Sequence, residues 1–172
     1  MKKLFLLLTV FIVAAAFCFA DPVEGYWLSF DEKTGEVTAG WQIYQQGGKL
    51  YGKILSVPHE PKGVLAYLCK ESYKDFPLPG KVNQMPLAGI PLIYGLTKDT
   101  RNNEWSGGRI IDPADGKDYN CKIIFRAAGT SAGRQKFTED TLEMRGEIGL
   151  GIGRSQYWKK TDEATASGLW PN

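Results

Sequence analysis

Hydrophobic and polar residues alternate along most of this chain, and the period is two. Tyr119, Cys121, Ile123 and Phe125 fall on one side of their stretch, while Asn120 and Lys122 fall on the other. That is the pattern of an antiparallel strand with one face in a core. Trp41, Ile43 and Gln45 alternate against Gln42, Tyr44 and Gln46, and Leu50, Gly52 and Ile54 share a face in the stretch that follows. Residues 141–148 repeat the pattern, with Leu142, Met144 and Ile148 on one side. Turn chemistry separates these stretches. Gly47-Gly48 is a two-residue hairpin signal. In the segment from Asp112 to Gly116, Pro113 presets φ, the aspartates bond nearby backbone, and Gly116 accepts positive φ. The pattern predicts strands at 25–30, 40–46, 49–55, 90–97, 105–111, 119–125, 141–148 and 154–158.

Eight short strands, with no strong helical periodicity and no solenoid repeat, predict an all-β protein. The economical architecture is an antiparallel meander closed into a barrel, because closure removes the sheet edges that invite aggregation. Residues 56–91 interrupt the rhythm with Pro58, Pro61, Pro77, Pro79, Pro86 and Pro91. They also carry Leu65, Tyr67, Leu68, Phe76 and Leu78 to bury, which predicts one long ordered loop near the barrel mouth, with a short helix or strand around 64–73. Gly149, Gly151 and Gly153 lack the spacing of a dinucleotide loop and precede a strand, so they are expected to form a flexible corner. Residues 161–172 are polar and are expected to be a flexible tail.

The first residues change the picture of compartment. Lys2 and Lys3, an apolar run over 4–19 and small Ala20 read as a secretory signal peptide over 1–20, cleaved near Ala20. Cys18 follows bulky Phe17, which disfavours lipid attachment, so the mature protein is expected in the periplasm or secreted, with no stable membrane span. Of the 21 basic residues, two belong to that leader, and the remaining 19 balance the 19 acidic ones. A neutral mature chain without a basic patch is a poor partner for nucleic acid. Two cysteines remain, Cys69 and Cys121. An oxidising compartment favours a bridge between them, which would close a loop of about 50 residues and add ~4 kcal/mol in the chain-entropy model. The other state open to them is two buried thiols, since Cys121 sits on the apolar side of its strand.

Chemistry-bearing residues are sparse. His59 is the only histidine and lies among prolines, and no Gly-x-Ser-x-Gly elbow occurs. Asp112, Asp115 and Asp118 lack the spacing and the distal Glu of a calcium loop. No catalytic residue, metal site or cofactor is therefore expected. The aromatic residues are more informative. A barrel of eight strands is either just filled or holds one small ligand. The residues expected to line it are Trp27, Trp41, Ile43, Trp105, Tyr119, Met144 and Trp158. A guanidinium from Arg145 or Arg154 stacked on Trp27 would clip the first strand to the last.

Several of these stretches resemble a known family. They are Gly25-x-Trp27, the run from Gly48 to Ile54, Leu87-Ala-Gly-Ile-Pro-Leu92, Trp105-x-Gly-Gly-Arg-Ile-Ile-Asp-Pro through Tyr119, and Arg145-Gly-Glu-Ile-Gly149 through Trp158. Together they resemble the DUF2147 family, exported bacterial proteins of unknown function. The resemblance spans nearly all of 21–160 and implies a small lipocalin-like barrel, to which the Gly-x-Trp signature also points. It supplies no catalytic residues. The expectation is a non-enzymatic barrel binding a small apolar or lipid-like molecule. The alternative is a filled barrel serving as an envelope interaction or stress-related scaffold; an enzyme is the third reading.

Overall fold

The structure is a computed structural model that describes residues 20–149 and 151–171. The expected signal peptide lies outside the described residues apart from Ala20. Eight strands form the wall: β1 (Gly25–Phe30), β2 (Val37–Gln46), β3 (Lys49–Ser56), β4 (Ile93–Asp99), β5 (Glu104–Ile111), β6 (Asp118–Arg126), β9 (Thr141–Gly149) and β10 (Ile152–Thr161). A two-residue pair, β7 (Ser131–Ala132) and β8 (Gln135–Lys136), forms a small hairpin between β6 and β9. Each wall strand pairs antiparallel with its neighbours, and β1 joins β10 through Tyr26↔Thr161, Trp27↔Lys160 and Leu28↔Lys159. The barrel is closed. No helix among the described residues is long and apolar enough to cross a membrane.

Alternation places one residue set inside. Trp27 and Ser29 of β1, Trp41 and Ile43 of β2, Leu50 and Ile54 of β3, and Leu142 and Met144 of β9 are all buried. Gly52 belongs to the same inward set. A Cβ there would approach Ile43 Cδ1 to 2.7 Å, so glycine makes room for the two isoleucines beside it, Ile43 and Ile93. One end is plugged by the segment before β1. Val23 is buried there, and its carbonyl accepts from Trp27 Nε1 at 2.9 Å. Lys98 Nζ reaches Asp21 at 2.8 Å while lying over the Trp105 ring, and Glu24 accepts from the backbone and side chain of Gln45.

Residues 57–92 differ from expectation in detail. In place of a helix or strand at 64–73 there is an isolated bridge, Leu65↔Pro86, and one 3-10 turn at Val82–Gln84. The segment leaves β3 at the open end and packs on the outside of the barrel. Phe76 meets Tyr94 edge-on at 5.5 Å, and Tyr94 Oη donates to the Lys74 carbonyl. Tyr73 Oη donates to the Gly116 carbonyl at 2.8 Å, and Lys70 pairs with Asp118. Gly116 has φ +67°, and a Cβ on it would lie 2.2 Å from the Leu68 carbonyl oxygen, so this turn demands glycine twice over.

Four further expectations are corrected. The glycines at 149, 151 and 153 form no loose corner: β9 runs to Gly149 and β10 starts at Ile152, which pairs with Gly149, and Gly149 and Gly151 have positive φ. The tail after 160 is not free. β10 extends to Thr161, and Asp162 caps α1 (Glu163–Ser167) by accepting from Thr165 N. Ala166 of that helix is fully buried against Gly40, and Ser56 Oγ donates to its carbonyl at 2.6 Å. Cys69 and Cys121 are both buried and both free, so the structure holds thiols and no bridge. Finally, neither arginine covers Trp27. Lys160, its partner across the β1–β10 seam, does so at 5.7 Å, while Arg145 pairs with Glu147 and Arg154 with Glu32.

Candidate functional site

The strand alternation that fills the plugged half leaves the other half hollow. A cavity of about 720 Å³ opens at the end where the β1–β2, β5–β6 and β9–β10 turns gather. Trp41 and Trp158 form its aromatic wall, stacked with ring centroids 4.8 Å apart. Their neighbours in the lining include Ala39, Ile54, Ile110, Tyr119 and Met144. Each indole N–H is satisfied inside. Trp41 Nε1 donates to Ser29 Oγ at 3.1 Å, and Trp158 Nε1 donates to Gln156 Oε1 at 3.1 Å. Ser29 Oγ also bonds Thr38 Oγ1 and the Ala39 carbonyl. Burying two indoles with paired N–H groups avoids the cost of an orphan donor.

Of the seven residues expected to line the barrel, Trp41, Tyr119, Met144 and Trp158 face this cavity. Trp27, Ile43 and Trp105 do not; all three are buried away from it. The reason is position along the strands. Trp27 lies low on β1 with its indole tied to Val23, and Trp105 stands at the start of β5 under Lys98. Period-two reading sorts in from out but does not show how far up the barrel a residue sits. Ser29, Thr38 and Gln156 also line the cavity. For Ser29 and Gln156 the signal in the sequence was a polar residue two positions from a tryptophan; Thr38, three positions before Trp41, carried none.

The mouth carries the charges. Asp31, Glu32, Asp112 and Arg154 line it, and Arg154 bonds Glu32 through both Nε and Nη2. This pair bridges the β1–β2 turn to the start of β10, the strand-to-strand link that was expected over Trp27. Asp31 and Asp112 serve their own turns: Asp31 accepts from Lys33 N and Thr34 N, and Asp112 from Ala114 N. Those two backbone donors hold the Asp31 carboxyl below its usual pKa. Ile148 and Ile152 also line the rim and are 73% and 62% exposed. Among the described residues no group of three or more His, Cys, Asp or Glu is placed to hold a metal ion. Cys121, in the wall, is fully enclosed, and burial pushes its thiol well above the usual range.

An eight-stranded antiparallel barrel, plugged at one end and open to an aromatic-lined cavity at the other, is a lipocalin-like barrel. A protein of Helicobacter pylori, HP1028, described as belonging to the lipocalin family, superposes with a TM-score of 0.61. The overlay covers 85% of this chain and 87% of that one at 16% identity, so the likeness is one of fold. The family model of DUF2147, described as an uncharacterized protein conserved in bacteria, matches residues 25–160, and the chain belongs to that family. No curated protein matches it in sequence.

Proposed function

We propose that this protein is an exported, non-enzymatic barrel that takes a small apolar or lipid-like molecule into the cavity beside the Trp41–Trp158 stack. The observation that carries the reading is the hollow half itself. A cavity of about 720 Å³ lies within the range of small-molecule sites, and its inner wall is mainly apolar, with the charged groups gathered at the mouth. A solidly packed core would leave no such space. Export after removal of 1–20 belongs to the same proposal, because Lys2, Lys3 and the apolar run carry it. The exposed Leu65, Tyr67 and Leu68 of the 57–92 segment favour a second reading, a partner-binding scaffold.

Native mass spectrometry of protein purified from the cell envelope tests the first reading, which expects a co-purifying lipid-like mass. The control is Gly146→Phe. Gly146 lines the cavity, and a Cβ there meets its nearest neighbour, Tyr119 Cβ, at an ordinary 3.6 Å. The phenyl group is expected to fill the cavity, keep the fold and remove the bound mass. An apo mass for both proteins, with full occupancy of a partner protein instead, would favour the scaffold.

A further inference from the structure

Donors and acceptors are unevenly available in the cavity, and the two tryptophans decide which remain. An indole N–H donates and never accepts. The Gln156 atom 3.1 Å from Trp158 Nε1 is therefore its carbonyl oxygen. That contact fixes which way the amide points and leaves the NH₂ group of Gln156, a cavity-lining residue, with no acceptor among the described residues. Ser29 is the opposite case. Its oxygen receives Trp41 Nε1, and its hydroxyl is shared between Thr38 Oγ1 and the Ala39 carbonyl. Gln156 thus offers an incoming molecule a free donor beside the aromatic wall.

Charge at the mouth selects further. Three carboxylates, Asp31, Glu32 and Asp112, line the cavity against the single guanidinium of Arg154, and that guanidinium is already engaged by Glu32. An anionic head would enter past this excess of negative charge at an exposed rim, where the repulsion is modest and weakens with salt. A neutral acceptor meets no such penalty. Resting on the reading that the cavity binds an apolar molecule, we propose that the ligand is a neutral amphiphile, an apolar body ending in a carbonyl-type acceptor such as an amide or ester. Gln156 Nε2 donates to that carbonyl while the apolar body lies along Trp41, Trp158 and Met144.

Calorimetric titration of the purified protein with dodecanamide and with dodecanoate, at a pH where the acid is ionised, tests this. The amide is expected to bind about fivefold or more tightly than the carboxylate, and Glu32→Gln to narrow that gap. Gln156→Leu and Gln156→Glu are each expected to weaken amide binding about three- to tenfold, the effect of one neutral hydrogen bond. The glutamate variant keeps an acceptor for Trp158 Nε1, so its loss reports the missing donor and not a displaced indole. Equal or tighter binding of dodecanoate would overturn the inference. So would unchanged amide binding by both Gln156 variants; if Gly146→Phe still abolished that binding, the cavity reading would survive alone. No binding of either probe by the unsubstituted protein would count against both.

Discussion

The side chain over Trp27 is a lysine, and its neighbours explain why no arginine took the place. Trp27 pairs directly with Lys160 across the β1–β10 seam, whereas Arg154 lies six residues earlier on β10, at the other end of the barrel. Lys160 is exposed, so its contact with the ring is a modest one. Lys160→Ala is expected to cost about 0.5–1 kcal/mol in denaturant unfolding. The thiols allow a sharper test. Burial raises the pKa of both Cys69 and Cys121, and neither is bonded. Unreduced native protein is expected to show its intact mass with two free thiols, and Cys121 to react with a thiol reagent only after denaturation. A mass lower by one disulfide would contradict the structure at this point.

Among elements, α1 and the 57–92 segment cover outer faces of the barrel. Gly40 belongs to α1's seat: a Cβ there would stand 1.9 Å from the Ala166 carbonyl oxygen. Gly40→Ala is expected to lift α1 and open the chain after 161 to limited proteolysis. It would also break the bonds of Ser56 Oγ to Ala166 O and Leu169 N, at a cost of about 1–3 kcal/mol for a buried hydroxyl left unpaired.

The 57–92 segment is held to the β5–β6 turn partly by charge. Burial alone would raise the Asp118 carboxyl, but hydrogen bonds from Arg109 and Lys70 outweigh that effect and hold it below the usual carboxylate range. A carboxyl depressed on folding contributes stability that is complete above its unfolded pKa and is lost as pH falls through the folded value. Acidification below about pH 4 is therefore expected to loosen this segment, read as faster amide exchange at Cys69 and Lys70, whose N–H groups are bonded within it, and Asp118→Asn to remove that dependence. Tyr94, whose hydroxyl anchors the same segment through Lys74, has its pKa pushed up to about 12 by burial and stays a neutral donor across this range.

At the scale of the whole molecule, closure and hollowness are separate properties. Closure follows from the pairing of β1 with β10, which leaves no open edge in the main sheet. Hollowness follows from which side chains reach inward at each level. Trp27, Leu50, Leu96, Trp105 and Leu142 are fully or almost fully buried in the interior. Nearer the mouth, Ser29, Ala39 and Gly146 occupy inward positions with little bulk. Ala39→Phe, like Gly146→Phe, is expected to shrink the cavity without opening the barrel, seen as unchanged far-ultraviolet circular dichroism with loss of probe binding.

The strands were legible because their determinant is local: period-two alternation and turn residues act within a few positions of each other. The central hairpin was spelled out in the same way by Asp112 to Gly116. The boundaries at 37 and 152 were not, since Gly40 and Gly153 interrupt the strand signal and the residues beyond them are held in the sheet by their partners. Nor was α1, which has five residues and is ordered by Gly40 and Ser56, more than 100 positions away.

The same division runs through the site. Alternation by itself determined that Trp41, Tyr119, Met144 and Trp158 point inward, because the pleat fixes the face of every residue. Only the tertiary structure decided that Trp27 and Trp105 fill the plugged end while Trp41 and Trp158 wall a cavity, that Arg154 meets Glu32, and that the Gln156 carbonyl accepts from Trp158. Height along a barrel and partners across it depend on strand register and closure, which join residues far apart in the chain.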